Sequence, residues 1–250
     1  MPLAESNIDQ VLCVNVLGTV NVLDSAVEHG VSCFVFPSTD KAVHPQSVYG
    51  ATKRIVERYL AARASTEPNL SVRVVRLVNI LGSQGSVAEV FARQIDLGQP
   101  ISVTDVRMDR YWMTMIEATR LLIAAASRSA NEGTYLIDVG NPVPLLETAR
   151  RMYRRLLPDG GEPEVKIIGS RPGERLHEPL QYEDEVRRET STPGLFALSA
   201  TSPSIAAARW RAAVDELRLV VYKQSPEGLR AWAFGAASDD VVPAFRMSGH

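Results

Sequence analysis

Short runs of β-branched and aromatic residues alternate along this chain with longer stretches whose apolar residues recur at helical spacing, and few folds accept that alternation. Asn7 to His29 carries Val11, Val14, Leu17, Val20, Leu23 and Val27 as a helical stripe and stops at Gly30. Cys33 to Phe36 then reads as a buried strand, followed by polar Ser38 to Lys41. A second helix is predicted over Val48 to Ala64, with Ile55, Val56, Tyr59 and Leu60 as its stripe. Ser71 to Leu77 and Thr134 to Val139 read as further strands, with Gly82 and Gly85 marking the loop after the first. Helices are expected over Ser86 to Leu97, Ile116 to Ser127 and Leu145 to Leu157, and an extended stretch at Ile101 to Thr104. Strands joined through helices pair in parallel, so the fold class is α/β with a doubly wound sheet. Beyond Pro158 the pattern loosens. Val165 to Ile168 is extended, Arg171-Pro172-Gly173-Glu174 is a loop, and Thr190 to Ser204 is a Ser/Thr/Pro stretch. Helices follow near Ile205 to Val221 and from Ser225-Pro226, a cap followed by proline.

Composition closes off several functions. The 27 Lys and Arg against 29 Asp and Glu leave a net charge of −2, without the basic excess that nucleic acid or an anionic membrane requires. The longest uncharged stretch, Thr190 to Ala208, is broken by proline and rich in Ser and Thr, so no membrane span is expected there. The start, MPLAESNIDQ, is no signal peptide. Cys13 and Cys33 alone suit a reducing cytoplasm. His29, His44, His177 and His250 lack ligand spacing, so no metal is expected. Trp112, Trp210 and Trp232 read as packing residues.

Lysine is scarce, and its placement directs attention. Only Lys41, Lys53, Lys166 and Lys223 occur, and the first two fall within STDKAVHPQSVYGATK. Tyr49 and Lys53, four apart on one helix, project from the same face. An ammonium beside a phenol favours the phenolate and suits it to general-base work. Alone, the pair is a weak signal. Here it follows a strand whose carboxyl end presents Ser38, Thr39, Asp40 and Lys41, the edge where open parallel sheets bind ligands.

These residues, with Asn15-x-x-Gly18-Thr19, RLVNILGSQGSV, TDVRMDRYWMT and GSRPGERLHEPL, resemble in order the UDP-N-acetylglucosamine 4,6-dehydratase family of polysaccharide-biosynthesis proteins, extended short-chain dehydrogenase/reductases. The resemblance runs from about Pro2 to Leu180 and weakly beyond. It implies the C-terminal part of a Rossmann-like sheet with a smaller substrate-binding region. Residues 1–80 and 114–157 would form a partial NAD(P)-binding domain, and 81–113 and 158–250 the substrate side. Tyr49, assisted by Lys53, would take the sugar 4-hydroxyl proton as hydride passes from C4 to NADP or NAD. Lys41 would remove the C5 proton, Asp40 would protonate the departing C6 hydroxyl, and Thr39 would hold the 4-oxygen. Asn15, Ser38, Tyr49 and Lys53 would hold the cofactor. Asn79, Arg110, Arg171 and Glu174 would hold the UDP-sugar, with Arg171 on the diphosphate and Glu174 on the ribose.

The resemblance also sets an expectation of incompleteness. Gly-x-Gly, which lets backbone approach a cofactor pyrophosphate, occurs nowhere in the sequence. The chain starts where family members have finished their first mononucleotide-binding half, so a truncated chain with an exposed sheet edge is expected, pairing with a complementing chain or a second copy. Three readings stand: a dehydratase, a nucleotide-sugar 4-epimerase that shares Tyr49 and Lys53 but has no use for Lys41, and a non-catalytic or partner-dependent remnant.

Overall fold

The computed structural model describes residues 2–127, 133–200, 205–238 and 242–245. His250 and residues 201–204 of the Ser/Thr/Pro stretch lie outside the described residues. Two short helices, α1 (Pro2–Ser6) and α2 (Ile8–Val11), lead into a π-helical stretch, Leu12–Leu17, that continues as α3 (Gly18–Glu28). The helix expected over Asn7 to His29 is present, but it is widened at its centre. Ile8, Leu12, Val16, Val20 and Leu23 are buried while Val14 and Val22 point outward. By length and composition alone, Ile8–Glu28 could cross a membrane. A search for unbroken uncharged runs misses it because Asp9 and Asp24 interrupt it. Here its buried face packs on the core.

β1 (Cys33–Thr39) outruns the strand expected at Cys33 to Phe36. A one-turn 3-10 helix, Asp40–Ala42, follows it, then α4 (Val48–Ala64), capped by the Ser47 hydroxyl, which accepts from the Gly50 N–H. β1 pairs in parallel with β2 (Ser71–Leu77) over its whole length, and β1 is the sheet edge, where Pro37 is tolerated. The chain continues through β3 (Asn79–Ile80), α5 (Val87–Asp96), β4 (Ile101–Val103), β5 (Asp109–Arg110), β6 (Trp112–Met113) and α6 (Met115–Ala126). The start of α6 is fastened by a capping box between Thr114 and Glu117. Then come β7 (Thr134–Ile137), β8 (Val143–Pro144), α7 (Leu145–Leu156), β9 (Val165–Ile167), β10 (Glu185–Glu189), β11 (Leu195–Ala200), α8 (Ala207–Val220) and α9 (Pro226–Ala237).

The main sheet has the order β1-β2-β7-β11-β10. The expected parallel pairing holds for β1, β2 and β7, whereas β11 and β10 join antiparallel. The second half of that hairpin falls in the stretch read as irregular. Leu195, Ala197 and Leu198 are buried there, and the flanking Pro, Ser and Thr hid the strand from a pattern search. β10, Glu185-Val-Arg-Arg-Glu, is a charged edge, which discourages further pairing.

Helices cover both faces. α4 lies on one, with α8 and α9 packed against it and Trp210 and Trp232 in the same core. α6 lies on the other, over Val75, Leu77, Tyr135 and Leu195. A separate small core joins Phe91 and Ile95 of α5 to Ile101, Val103, Met108, Leu145 and Ala149. Three two-stranded ribbons, β3 with β6, β4 with β9 and β5 with β8, frame that lobe. A cleft opens between it and the carboxyl ends of β1 and β2.

Candidate active site

The cleft measures about 650 Å³ and gathers most of the residues singled out from the sequence. Its sheet-side wall is the end of β1, the turn after it and the first two turns of α4. A Cβ on Gly50 would overlap the Lys41 carbonyl oxygen, so glycine is what lets α4 press against that turn and bring Tyr49 and Lys41 into one space. Asp40 is fully buried behind Lys41. Its Oδ1 accepts from the Thr39 hydroxyl at 2.9 Å and from Lys41 Nζ at 2.8 Å, while Oδ2 has no partner. Lys41 Nζ also donates to Asn79 Oδ1 at 3.3 Å. Burial alone would push the Lys41 amine down, but the Asp40 and Glu178 carboxylates outweigh it and hold the amine above its ordinary value.

Tyr49 and Lys53 share the cleft, though not as the spacing suggested. Burial raises the Tyr49 phenol, and the cation that draws it back down is Lys41, with help from the Thr39 hydroxyl. Lys53 instead donates to the Pro37 carbonyl at 3.0 Å and rests 4.5 Å over the Phe36 ring. Its own amine is lowered by burial, against the charge of Glu57. The expected Lys53 effect on the phenol is therefore absent, and the net displacement of Tyr49 is upward.

Two expected residues stand off the cleft wall. Asp40 reaches it only through Lys41 and Thr39. Asn15, in the π-helical stretch, donates to the Thr52 hydroxyl at 3.0 Å, and Thr52 donates to the Tyr49 carbonyl at 2.8 Å, so Asn15 braces the first turn of α4. Ser38 lines the cleft but turns its hydroxyl to Glu57 at 2.6 Å. On the opposite wall lie Asn79, Arg110, Arg171 and Glu174. Arg110 is buried and donates to the carbonyls of Asp109, Arg175 and Leu176, clamping the 175–178 loop onto β5. Glu174 accepts from the Arg171 N–H at 3.2 Å. Trp112, read as packing, also lines the cleft, and its indole N–H is buried without a partner.

Sequence reasoning missed the support beneath this site. Arg76, 1% exposed near the carboxyl end of β2, donates to both carboxylate oxygens of Glu57 and both of Glu185. Tyr182 donates to the Ala42 carbonyl and receives the His44 N–H, and His44 itself holds a left-handed backbone. The available signal was an arginine inside SVRVVRL, an apolar strand that could bury it only beside carboxylates. Glu178, also missed, lines the cleft next to Lys41. Among the described residues, no group of three or more His, Cys, Asp or Glu is arranged to hold a metal.

Known proteins are similar to this chain in sequence and in fold. Capsular polysaccharide biosynthesis protein CapD of Staphylococcus aureus is 40% identical over 186 residues, covering 74% of this chain and 31% of that protein. A UDP-N-acetylglucosamine 4,6-dehydratase (inverting) of Campylobacter jejuni is 31% identical over 208 residues, covering 82% and 59%. A UDP-glucose 4-epimerase of Rickettsia rickettsii is 30% identical over 176 residues, covering 70% and 50%. The chain thus spans between 31% and 59% of the length of these relatives. Among solved structures, Pen from Bacillus thuringiensis superposes with a TM-score of 0.73 at 28% identity, covering 89% of this chain and 72% of that one. MoeE5 in complex with UDP-glucose and NAD gives 0.53 at 25% identity, covering 64% and 59%. Residues 1–200 match the family described as polysaccharide biosynthesis protein, a stretch that includes both walls of the cleft. With its Rossmann-like sheet and its Tyr49-Lys53 helix, the chain belongs to that family.

Proposed function

We propose that this chain carries the sugar-facing machinery of an NADP- or NAD-dependent nucleotide-sugar 4,6-dehydratase of UDP-N-acetylglucosamine type, serving surface polysaccharide or glycan biosynthesis in the cytoplasm. The observation that carries the reading is an amine and a phenol, Lys41 and Tyr49, facing one cleft from the end of a parallel strand. An epimerase needs only the phenol. In this reading the main sheet with α4, α6, α8 and α9 serves the cofactor side, and the lobe of α5, α7 and the three ribbons serves the substrate side, so the division expected at 114–157 and 158–250 is redrawn: α7 joins the lobe, while β10, β11, α8 and α9 return to the main core.

A nicotinamide cofactor, when bound, supplies the acceptor and later the donor of hydride. The residues present fit its ribose end: Lys53 lines the cleft and spends one of its three donors on Pro37, leaving two for a diol. Tyr49 takes the proton of the sugar 4-hydroxyl as C4 is oxidised. The resulting ketone acidifies the C5 proton, which Lys41 removes. Asp40, buried behind that amine, meets the cleft only by way of Lys41 and Thr39, so a proton from it would be relayed through them to the departing C6 hydroxyl; the C6–O bond breaks, water leaves, the hydride taken from C4 would return to C6, and Lys41 returns a proton to C5. Thr39 holds the 4-oxygen, Asn79 keeps Lys41 aimed, and Arg110 orders the loop that closes over the sugar. Arg171 takes the diphosphate through its planar fork, and Glu174 the ribose.

One observation favours the 4-epimerase instead. Lys41 is held protonated in the resting cleft, a state with no use as a base. Turnover of UDP-N-acetylglucosamine with NADP in deuterated water separates the two. The dehydratase yields a 4-keto-6-deoxy sugar with exchange at C5, and Lys41→Ala lowers that rate by about 10²–10⁴-fold. Interconversion of C4 epimers that survives Lys41→Ala would establish the epimerase. Binding of UDP-sugar without any product would establish a non-catalytic chain.

A further inference from the structure

Tyr182 is a buried phenol that no step above uses. It is 5% exposed, and its hydroxyl ties off the far side of the turn that presents Thr39 and Lys41 to the cleft. It donates to the Ala42 carbonyl at 3.0 Å and accepts the His44 N–H at 3.0 Å, so one oxygen satisfies the backbone on both sides of Val43. The backbone shows what this clamp holds. His44, at φ 43°, is the one non-glycine residue in the left-handed region among the described residues. A β-carbon disfavours that conformation, which persists only where surrounding bonds impose it. The phenol is itself fixed. The Arg54 guanidinium lies 4.1 Å over its ring, and the His44 ring is 4.5 Å from it. Its backbone N–H donates to Glu185 at 2.8 Å, and Glu185 is joined through Arg76 and Glu57 to Ser38. One buried network therefore grips the turn at both ends, at Ser38 before it and at Ala42 and His44 after it.

We propose that Tyr182 is a positioning residue for Lys41: its hydroxyl holds the strained exit of the turn, and with it the aim of the amine into the cleft, without touching substrate. The consequence for C5 proton removal rests on the dehydratase reading. A merely structural Tyr182 would weaken the whole molecule without loosening the turn selectively or separating kcat from KM.

The test uses the natural protein and two readouts. The first is hydrogen exchange without ligand, resolved by residue with mass spectrometry. The Lys41 and Val43 amides bond Thr39 and Asp40 rather than Tyr182, so they report the turn itself. Tyr182→Phe speeds both by about tenfold, while Ile55 to Leu60 in the middle of α4 keep their rates. The second readout is turnover of UDP-N-acetylglucosamine with NADP to the keto product. There Tyr182→Phe lowers kcat by about 10–100-fold and leaves KM within about twofold, because a misplacement of about 1 Å suffices for such a loss. Adding His44→Gly removes the β-carbon that makes the left-handed exit costly, so the turn keeps its path without the hydroxyl and kcat returns to within about fivefold of the natural value. This double variant carries the test if the single one does not fold. Unchanged exchange at the turn, equal acceleration throughout α4, an unchanged kcat, or a double variant still more than about tenfold slow overturns the proposal. Exchange needs no turnover, so failure of the dehydratase reading appears separately, as absence of the keto product from the natural protein while the exchange pattern stands.

Discussion

The sheet-side wall of the cleft, Pro37 to Lys53, stands on a buried charge network, whereas the opposite wall stands on a small apolar core, two-residue strands and the separate bonds of Arg110, Arg175 and His177. Beneath the first, Arg76 joins α4 to β10 through Glu57 and Glu185, and Glu57 reaches Ser38 just ahead of the Thr39-Asp40-Lys41 turn. The second has smaller, separate ties: Arg171 is exposed there, and the 171–178 loop is fastened by Arg110 to its carbonyls, by Arg175 to the Val43 carbonyl and by His177 to Asp109. Groups that move protons need fixed geometry, while a wall that closes on a ligand needs slack. The division of support between the walls follows that division of labour.

The largest effect is expected from breaking the network under the first wall. Arg76→Met leaves Glu57 and Glu185 buried without their partner, and loss of one member of a buried ion group costs about 3–5 kcal/mol. Urea unfolding measures it. A loss below about 1 kcal/mol would mean that water reaches the two carboxylates and that the sheet-side wall is softer than its burial indicates.

Next comes Gly50→Ala, which separates helix propensity from site geometry. In an ordinary helix interior alanine would stabilise by about 1 kcal/mol. Here its methyl meets the Lys41 carbonyl, backbone rather than a yielding side chain. Overpacking of this kind costs about 1–3 kcal/mol, and the displaced turn takes Lys41 out of register with Tyr49. Turnover should therefore fall further than the melting temperature suggests. A stabilised, fully active variant would show that α4 can retreat from the turn without cost.

The two walls also differ in how far the sequence discloses them. α4 matches its expected bounds, and β2 does too, because an apolar stripe of period 3.6 and a run of β-branched residues are local signals. Thr39, Lys41, Tyr49 and Lys53 could be named for the same reason, lying within one short segment that joins a strand to a helix. The partners of that segment could not. Glu185 is 109 residues from Arg76, and nothing near either position announces the other. The opposite wall is harder still: strands of two residues have no period, and Glu178 reaches the cleft that Lys41 lines from far along the chain. Lys53 shows the limit even for local signals. Its spacing from Tyr49 is right for contact, yet its ammonium is turned to the Pro37 carbonyl and the Phe36 ring.

The smallest effect on stability, and the sharpest on binding, is expected at the second wall. Arg171 is exposed, and its backbone N–H rather than its side chain meets Glu174, so Arg171→Ala should leave stability within about 0.5 kcal/mol. If the guanidinium receives a diphosphate, its loss removes charge-assisted hydrogen bonds worth about 1.5–3 kcal/mol, a tenfold or greater weakening. Calorimetric titration with UDP and with uridine isolates that contribution, because both ligands present the same base and ribose and only one carries the phosphates. Weakening confined to UDP assigns the diphosphate to Arg171. Equal weakening of both would mean that the side chain holds the 171–178 loop in place, and this wall would then resemble the first in kind, differing only in how little supports it.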